Sequence, residues 1–407
     1  MIPTDTVTED IPRPTRIQFP DAEEPLTEHT LLGPFRRIIT VTGLDCSAVA
    51  LAESNPLLRR RALFSRILAF VVLFLILFRF GMLFKATGRV MSLQWAESNM
   101  FAFTGLHSFV CGLCLFGWTK NTFITSHLER LEKVRLLRLK PNKALDDYSA
   151  LHKRAFIWGG LWFLALMIHS ISSAANQKII LFGQTESPAL FAVFPFLTFL
   201  ACLIATNCVI SYFLVNTSLS REIEYFNSEL EEAVKERTLH NQQLVLKFCH
   251  RQAELLRLVR KANESLSSYA SAGTIFCFYA FINAVYIMSF QDDLPQIVFF
   301  LLLFDLFSVI AMTVFTLRPT SSVQNHIAET SKIVMDSEEF EESKDSDLFE
   351  MYHILVDRSL KTNTRIRVVG GIPIYQTSMN VAMLLVPNLG NVLGLVKKVL
   401  ESHGIHV

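Results

Sequence analysis

The stretch NPLLRRRALFSRILAFVVLFLILFRF, residues 55–80, sets Arg59, Arg60 and Arg61 against a long apolar run and leaves a further arginine, Arg79, inside that run. A hydrocarbon core of about 30 Å is crossed by roughly 20 apolar residues in helical form. Residues 67–86 therefore read as a membrane span. Which side of the membrane the arginine triplet occupies depends on the charge bias of the remaining connections.

Six further segments qualify by length and low charge: 98–118, 156–175, 188–215, 271–290, 296–317 and 372–396. The last is the weakest, being interrupted by Gln376, Asn380, Pro387, Asn388 and Asn391. Of 38 Lys and Arg residues, 32 precede the first span or lie in 119–155, 216–270 and 318–371. Only Lys85, Arg89, Lys178, Lys397 and Lys398 fall on the other side. The positive-inside rule then puts Arg59–Arg61 and the N-terminus in the cytoplasm and the C-terminus outside. The fold class expected is an all-α membrane protein with seven transmembrane helices and a helical cytoplasmic anchor domain. G-protein-coupled receptors also have seven helices, but they run the other way.

Composition agrees with this class. The 407 residues are 51% hydrophobic and only 18% charged, in long apolar blocks. A net charge of +1 points to no nucleic-acid partner. The first 30 residues hold no apolar core segment, so the first span is expected to act as its own insertion signal. None of the seven cysteines falls in an outer connection, so no extracellular disulfide is expected. Cys111 and Cys114 have C-x-x-C spacing but lie in a span, where packing is the simpler reading. There is no nucleophile–base constellation, no phosphate-binding glycine loop and no metal spacing. The expectation is a non-enzyme with neither cofactor nor metal.

The chain divides as follows. Residues 1–30, rich in Pro, Thr, Asp and Glu, read as a disordered cytoplasmic tail, and 31–215 hold the first four spans. Residues 31–44 have the pattern of a short helix lying on the inner leaflet. Segment 216–270 carries two apolar stripes at helical spacing, Leu219, Ile223, Phe226, Leu230 and Val234, then Leu244, Phe248, Leu255 and Val259. It reads as two cytoplasmic extensions joined near residues 237–241, whose stripes pack either on each other or on neighbouring subunits. Residues 271–317 hold spans five and six. Residues 318–371 hold further anchor helices, including one after Pro319 and one at 348–361, around an acidic linker at 336–347. Residues 372–396 form the last span, and 397–407 an extracellular tail.

Several polar residues sit in apolar surroundings. At about 100° per residue, Gln376, Asn380 and Asn391 share one face of the last helix with Pro387, Gly390 and Gly394, while Asn388 strays from it. Such a face meets water or protein, not lipid. Gly390-x-x-x-Gly394 is also a close-packing motif, so spacing leaves a pore lining and helix–helix packing both open. Arg79 and Asp305 lie at similar depths below the outer surface and form a candidate intramembrane ion pair, the alternative being an outward-reaching arginine and a neutral or hydrated Asp305. His169, Asn283, Tyr286 and Asp305 lie in the outer parts of their spans and are candidates for an outward-opening ligand pocket; helix packing is the other role for His169.

The cytoplasmic N-terminus, the long paired helices between spans four and five, and VVGGIPIYQTSMNVAML leading into the last span resemble the insect gustatory and odorant receptor superfamily. The layout is also similar to nematode gustatory-receptor-like proteins and the serpentine receptor class r group. The superfamily's Thr-Tyr pair followed by Gln-Phe is absent; VPNLGNVLGLV stands there, which places the chain on a divergent branch. The resemblance implies a chemosensory, ligand-gated, non-selective cation channel. It implies a homo- or heterotetramer in the plasma membrane, with the last helix lining a central pore and the cytoplasmic helices forming a shared anchor. Gln376, Asn380, Asn388 and Asn391 would then be the pore-lining residues. A small-molecule or other sensory ligand and membrane lipids would be the partners. The rival readings are a non-conducting receptor that signals through cytoplasmic partners, and a transporter.

Overall fold

The structure is a computed structural model that describes residues 26–47, 56–83, 91–181, 188–290, 296–342, 345–361, 366–368, 372–374 and 376–404. Most of the acidic N-terminal tail therefore lies outside the described residues. In chain order the helices are α1 (Glu28–Leu32), α2 (Phe35–Val41), α3 (Pro56–Leu83), α4 (Leu93–Lys120), α5 (Phe123–Arg135), α6 (Lys143–Asp146) and α7 (Ser149–Leu181). They continue with α8 (Pro188–Lys235), α9 (Gln242–Phe290), α10 (Gln296–Met335), α11 (Glu338–Glu342) and α12 (Ser346–Lys361). Strands β1 (Arg367–Val368) and β2 (Ile372–Pro373) form a small antiparallel bridge before α13 (Gln376–Ser402).

Helices α3, α4, α7, α8, α9, α10 and α13 carry the seven apolar segments. Among the described residues α3, α8, α9 and α10 are long and apolar enough to cross a membrane by length and composition alone. Helices α8 and α9 run for 48 and 49 residues, each combining an apolar half with an amphipathic half. The turn between them, residues 236–241, is held by Thr238 Oγ1 donating to the Ala233 carbonyl and by the Asn241 side chain accepting from Gln243 N. Helix α10 runs straight through Pro319, where the sequence suggested a new start. A proline costs an interior helix one backbone bond; close packing of α10 on α8, with Tyr212 Oη and Thr320 Oγ1 at 2.8 Å, keeps the two halves in register.

Helix α8 is the centre of the molecule. Helices α1–α4, α7, α9 and α10 all pack on it, and the side chains of Ile204, Tyr212, Leu214, Leu219, Phe226 and Leu230 are buried along its length. By contrast α3 turns Phe64, Phe70, Phe74 and Phe78 outward. An apolar face of that kind suits lipid rather than water.

The packing bears on two segments outside the apolar runs. Residues 31–44 do not present an apolar face to a membrane surface. Leu31, Leu32, Phe35 and Ile39 are buried in the main core, and His152 Nε2 lies 2.9 Å from the Leu31 carbonyl. The apolar side of α1 and α2 is consumed by helix packing. Likewise Phe248, Leu255 and Val259 are buried within the chain, with Leu244 packed against the same core. Phe248 meets Phe226 of α8 edge-on, with ring centroids 5.8 Å apart, and α5 and α12 also pack on α9. One chain thus covers Phe248, Leu255 and Val259, while Leu244 is only partly buried.

Buried ion pairs tie the amphipathic half of α8 to its neighbours. Arg251 of α9 bonds Glu229 of α8, and both are almost fully enclosed. Arg138 bonds Glu222 of α8 and also Asp146 at 3.0 Å. Burial opposes the Arg138 charge, but its bonds to Glu222 and Asp146 outweigh this and hold the guanidinium above its ordinary value.

Candidate functional site

The candidate site is the outer face of α13. This helix packs along α9 and touches α10 only lightly. Gly390 makes the close approach possible: a Cβ there would stand 2.8 Å from a Val285 methyl and 2.9 Å from the Ile282 backbone oxygen. Gly394 is also buried. Leu393 packs into a small outer cluster with Tyr286, Ile287 and Leu302. These residues fix which side of α13 faces its own chain.

Asn380 and Asn391 are exposed on the flank beside this contact, and Asn388 is exposed on the far side. The helical wheel puts Asn380 and Asn391 beside Gly390 and Gly394 and Asn388 away from them; in the structure the glycines are buried and all three asparagines exposed. The reason is the width of the contact. A helix that buries Gly390 and Gly394 against one partner leaves neighbours about 60–100° away uncovered. Asn388 Nδ2 donates to the Leu384 carbonyl at 2.9 Å, while Asn380 and Asn391 have no hydrogen-bond partner among the described residues. The same face carries Leu384, 71% exposed, with Val381, Leu385, Val392, Leu395 and Val399. The side chain of Gln376 lies outside the described residues.

An exposed face that mixes branched apolar residues with unbonded amides is a poor match for lipid alone. Each unmatched amide in hydrocarbon costs free energy. Asn380 and Asn391 place neutral dipoles on this face among the exposed Leu384 and Leu395.

Of the four pocket candidates, the side chains of Asn283 and Tyr286 fall among the described residues. Tyr286 is buried and its hydroxyl donates to the Met91 carbonyl at 2.6 Å, linking the end of α9 to the chain entering α4. Asn283 is buried and donates to the Tyr279 carbonyl at 2.9 Å. Both side chains serve contacts within the bundle. His169 sits on α7 and Asp305 on α10, but both side chains lie outside the described residues, so the proposed pair with Asp305 does too. Arg79 is 1% exposed and does not reach outward. Its Nε donates to Thr198 Oγ1 at 3.2 Å, and its terminal nitrogen to Ser170 Oγ at 3.4 Å, so it joins α3 to α7 and α8.

Sequence reading missed α5 and its surroundings. Phe123, Ile124, His127, Leu128, Leu131 and Val134 are all buried, and their three- and four-residue spacing was a helix signal masked by the basic residues between them. His127 is enclosed between α5 and α8, with Nε2 3.1 Å from Ser218 Oγ. Burial, reinforced by the nearby Arg130 charge, pushes its pKa down to about 4.

Comparison with known proteins agrees with this architecture. The insect olfactory receptor OR5 from Machilis hrabei is similar in structure, with a TM-score of 0.58 at 11% identity, over 88% of this chain and 97% of that one. The same receptor in complex with eugenol gives 0.59 at 13% identity, over 89% and 98%. The chain thus has an insect olfactory receptor-like fold and is a multi-pass membrane protein. No curated protein matches its sequence. The family described as Caenorhabditis protein of unknown function, DUF267, matches residues 31–390, and the chain belongs to that family.

Proposed function

We propose that this protein is a chemosensory receptor of the plasma membrane that works as a ligand-gated, non-selective cation channel. Seven helices cross the membrane, with the N-terminus inside and the C-terminus outside. Four copies, identical or mixed, surround an axis lined by α13. The observation that carries the reading is the outer face of α13, where Asn380 and Asn391 are exposed without partners while Gly390, on the adjacent side, meets α9. Neutral amides favour weak selectivity, because they replace part of a cation's hydration without a fixed charge. The layout shared with an insect olfactory receptor that has been solved with eugenol supports a small organic molecule as the ligand class.

The test is expression in cells that lack accessory chemosensory proteins, followed by a screen of small volatile and soluble organics under voltage clamp. A ligand-evoked cation current that Asn391→Lys reduces is the expected result. Surface-expressed, assembled protein that conducts under no ligand or voltage would favour a receptor that signals through cytoplasmic partners instead.

A further inference from the structure

Beside the C-terminal end of α4 and the middle of α9 there is a cavity of about 120 Å³ that the channel reading does not use. It lies between the start of α5 and residues 258–265 of α9, and it is larger than a single water needs. Its walls carry two cationic side chains, Arg130 and Lys261, and one carboxylate, Glu264. Lys261 Nζ is bonded to Glu264 Oε2 at 2.7 Å, whereas Arg130 has no carboxylate partner among the described residues. One cation of the site is therefore neutralised and one is not.

Two further features point to a ligand. The His127 ring lines the cavity and is 2% exposed, yet its Nδ1 is buried without a hydrogen-bond partner. Ser218 Oγ donates to the Val215 carbonyl at 2.7 Å, so toward His127 Nε2 it acts as acceptor. That assigns the proton to Nε2 and leaves Nδ1 as a buried acceptor in need of a hydroxyl donor. In addition, α5 begins at the cavity. Phe123 and Ser126 of its first turn line the wall, and Thr122, in the left-handed region at φ 49°, supplies no side-chain cap. The uncapped first-turn amides favour an anion.

An acceptor for a hydroxyl, an unneutralised guanidinium and open amide donors match one chemistry: a phosphate ester carried on a hydroxylated group. We propose that this cavity is a phosphomonoester site, filled by the polyol-phosphate headgroup of an anionic lipid or by a free sugar or inositol phosphate. Placing it near the inner leaflet rests on the topology proposed above. Asn121 and Ser265 lie three and six residues from the expected ends of their spans, about 5 and 9 Å along a helix. Those depths run from within the headgroup layer, roughly 5–8 Å thick on each side of the hydrocarbon, to just beyond it. Arg130 would form a paired contact with the phosphate, Lys261 would exchange Glu264 for it, and a ligand hydroxyl would donate to His127 Nδ1.

The test uses the full-length chain purified in detergent and needs neither conduction nor assembly, so its failure would leave the channel reading untouched and the reverse holds too. The probes are short-chain phosphatidylinositol monophosphate, acyl-free inositol bisphosphate and short-chain phosphatidylcholine, followed by calorimetry. Saturable binding of a phosphomonoester probe, one per chain, is expected. Arg130→Gln should weaken it by roughly tenfold or more, the loss typical of a charge-assisted contact. Lys261→Gln should also weaken it; that side chain is half exposed, so this variant carries the test should Arg130→Gln fail to fold. A requirement for acyl chains identifies a lipid, and equal affinity for the acyl-free probe identifies a soluble ester. Absence of saturable binding would overturn the proposal. So would equal affinity for phosphatidylcholine, or an equal loss on changing the exposed Lys153 and Arg154 of α7, which would mark general surface charge.

Discussion

Helices α8 and α13 are both apolar helices punctuated by polar residues, yet they handle those residues in opposite ways. In the apolar window of α8, 83% of residues are buried inside the chain, and further along it Asn216, Ser218, Glu222, Asn227 and Glu229 are met by partners from the same chain. Helix α13 is covered on one side only, and its asparagines face away from the chain. The difference teaches that a polar residue in a membrane protein is not by itself a functional signal. On α8, Glu222, Asn227 and Glu229 join the helix to other parts of the chain; the asparagines of α13 face away from the chain.

If that contrast is right, the largest effect should come from the interior of α8. Glu229→Leu strands Arg251 in a buried site, a loss of about 3–5 kcal/mol. Thermal denaturation in detergent should show it as a collapse of the folded yield. Adding Arg251→Met should recover most of the loss, because the charge no longer needs a partner. Equal stability of the single and double variants would contradict a buried, coupled pair.

His127 gives a pH signature for the same interior. Its folded-state pKa is about 4, below the ordinary value of 6.5. Between those values the unfolded chain binds more protons, so stability is complete above about pH 6.5 and falls as pH drops, levelling off below about pH 4. The full span is at most about 3 kcal/mol. His127→Gln should remove this component from the pH profile of melting temperature, and an unchanged profile would mean that His127 is not held neutral.

On α13 the effects should split by face. Gly390→Val forces a side chain against the Ile282 carbonyl, where backbone cannot move aside, and should cost about 1–3 kcal/mol. Asn391→Leu touches nothing in the chain and should change the stability of the protomer by less than about 0.5 kcal/mol. Comparable losses at both positions would erase the distinction between inner and outer faces.

Much of this organisation was legible in the sequence. Uninterrupted apolar runs marked the positions of the long helices, and the 3.6-residue stripes of 216–270 marked amphipathic halves. What a stripe packs against was not legible, because periodicity names the buried face but not its partner. Phe248 and Val259 therefore read equally as internal or intersubunit contacts. The split of Gly390 from Asn391 was hidden for a related reason: adjacent residues on a wheel are assigned to faces only once the neighbour's width is known. The Arg138–Glu222 pair joins residues far apart in the chain, and nothing local to either announces it.

The central claim is that the outer face of α13 borders water in the assembled protein. The direct measurement is thiol accessibility under voltage clamp, with cysteine replacing Asn380, Asn391 or Leu393 one at a time. The account predicts that Asn380→Cys and Asn391→Cys react with a charged, membrane-impermeant thiol reagent. It further predicts that modification of Asn391→Cys alters the ligand-evoked current, while Leu393→Cys, packed beside Tyr286, stays unmodified. Surface-expressed Asn380→Cys and Asn391→Cys variants as unreactive as Leu393→Cys would contradict it and would make the outer face of α13 a packing surface.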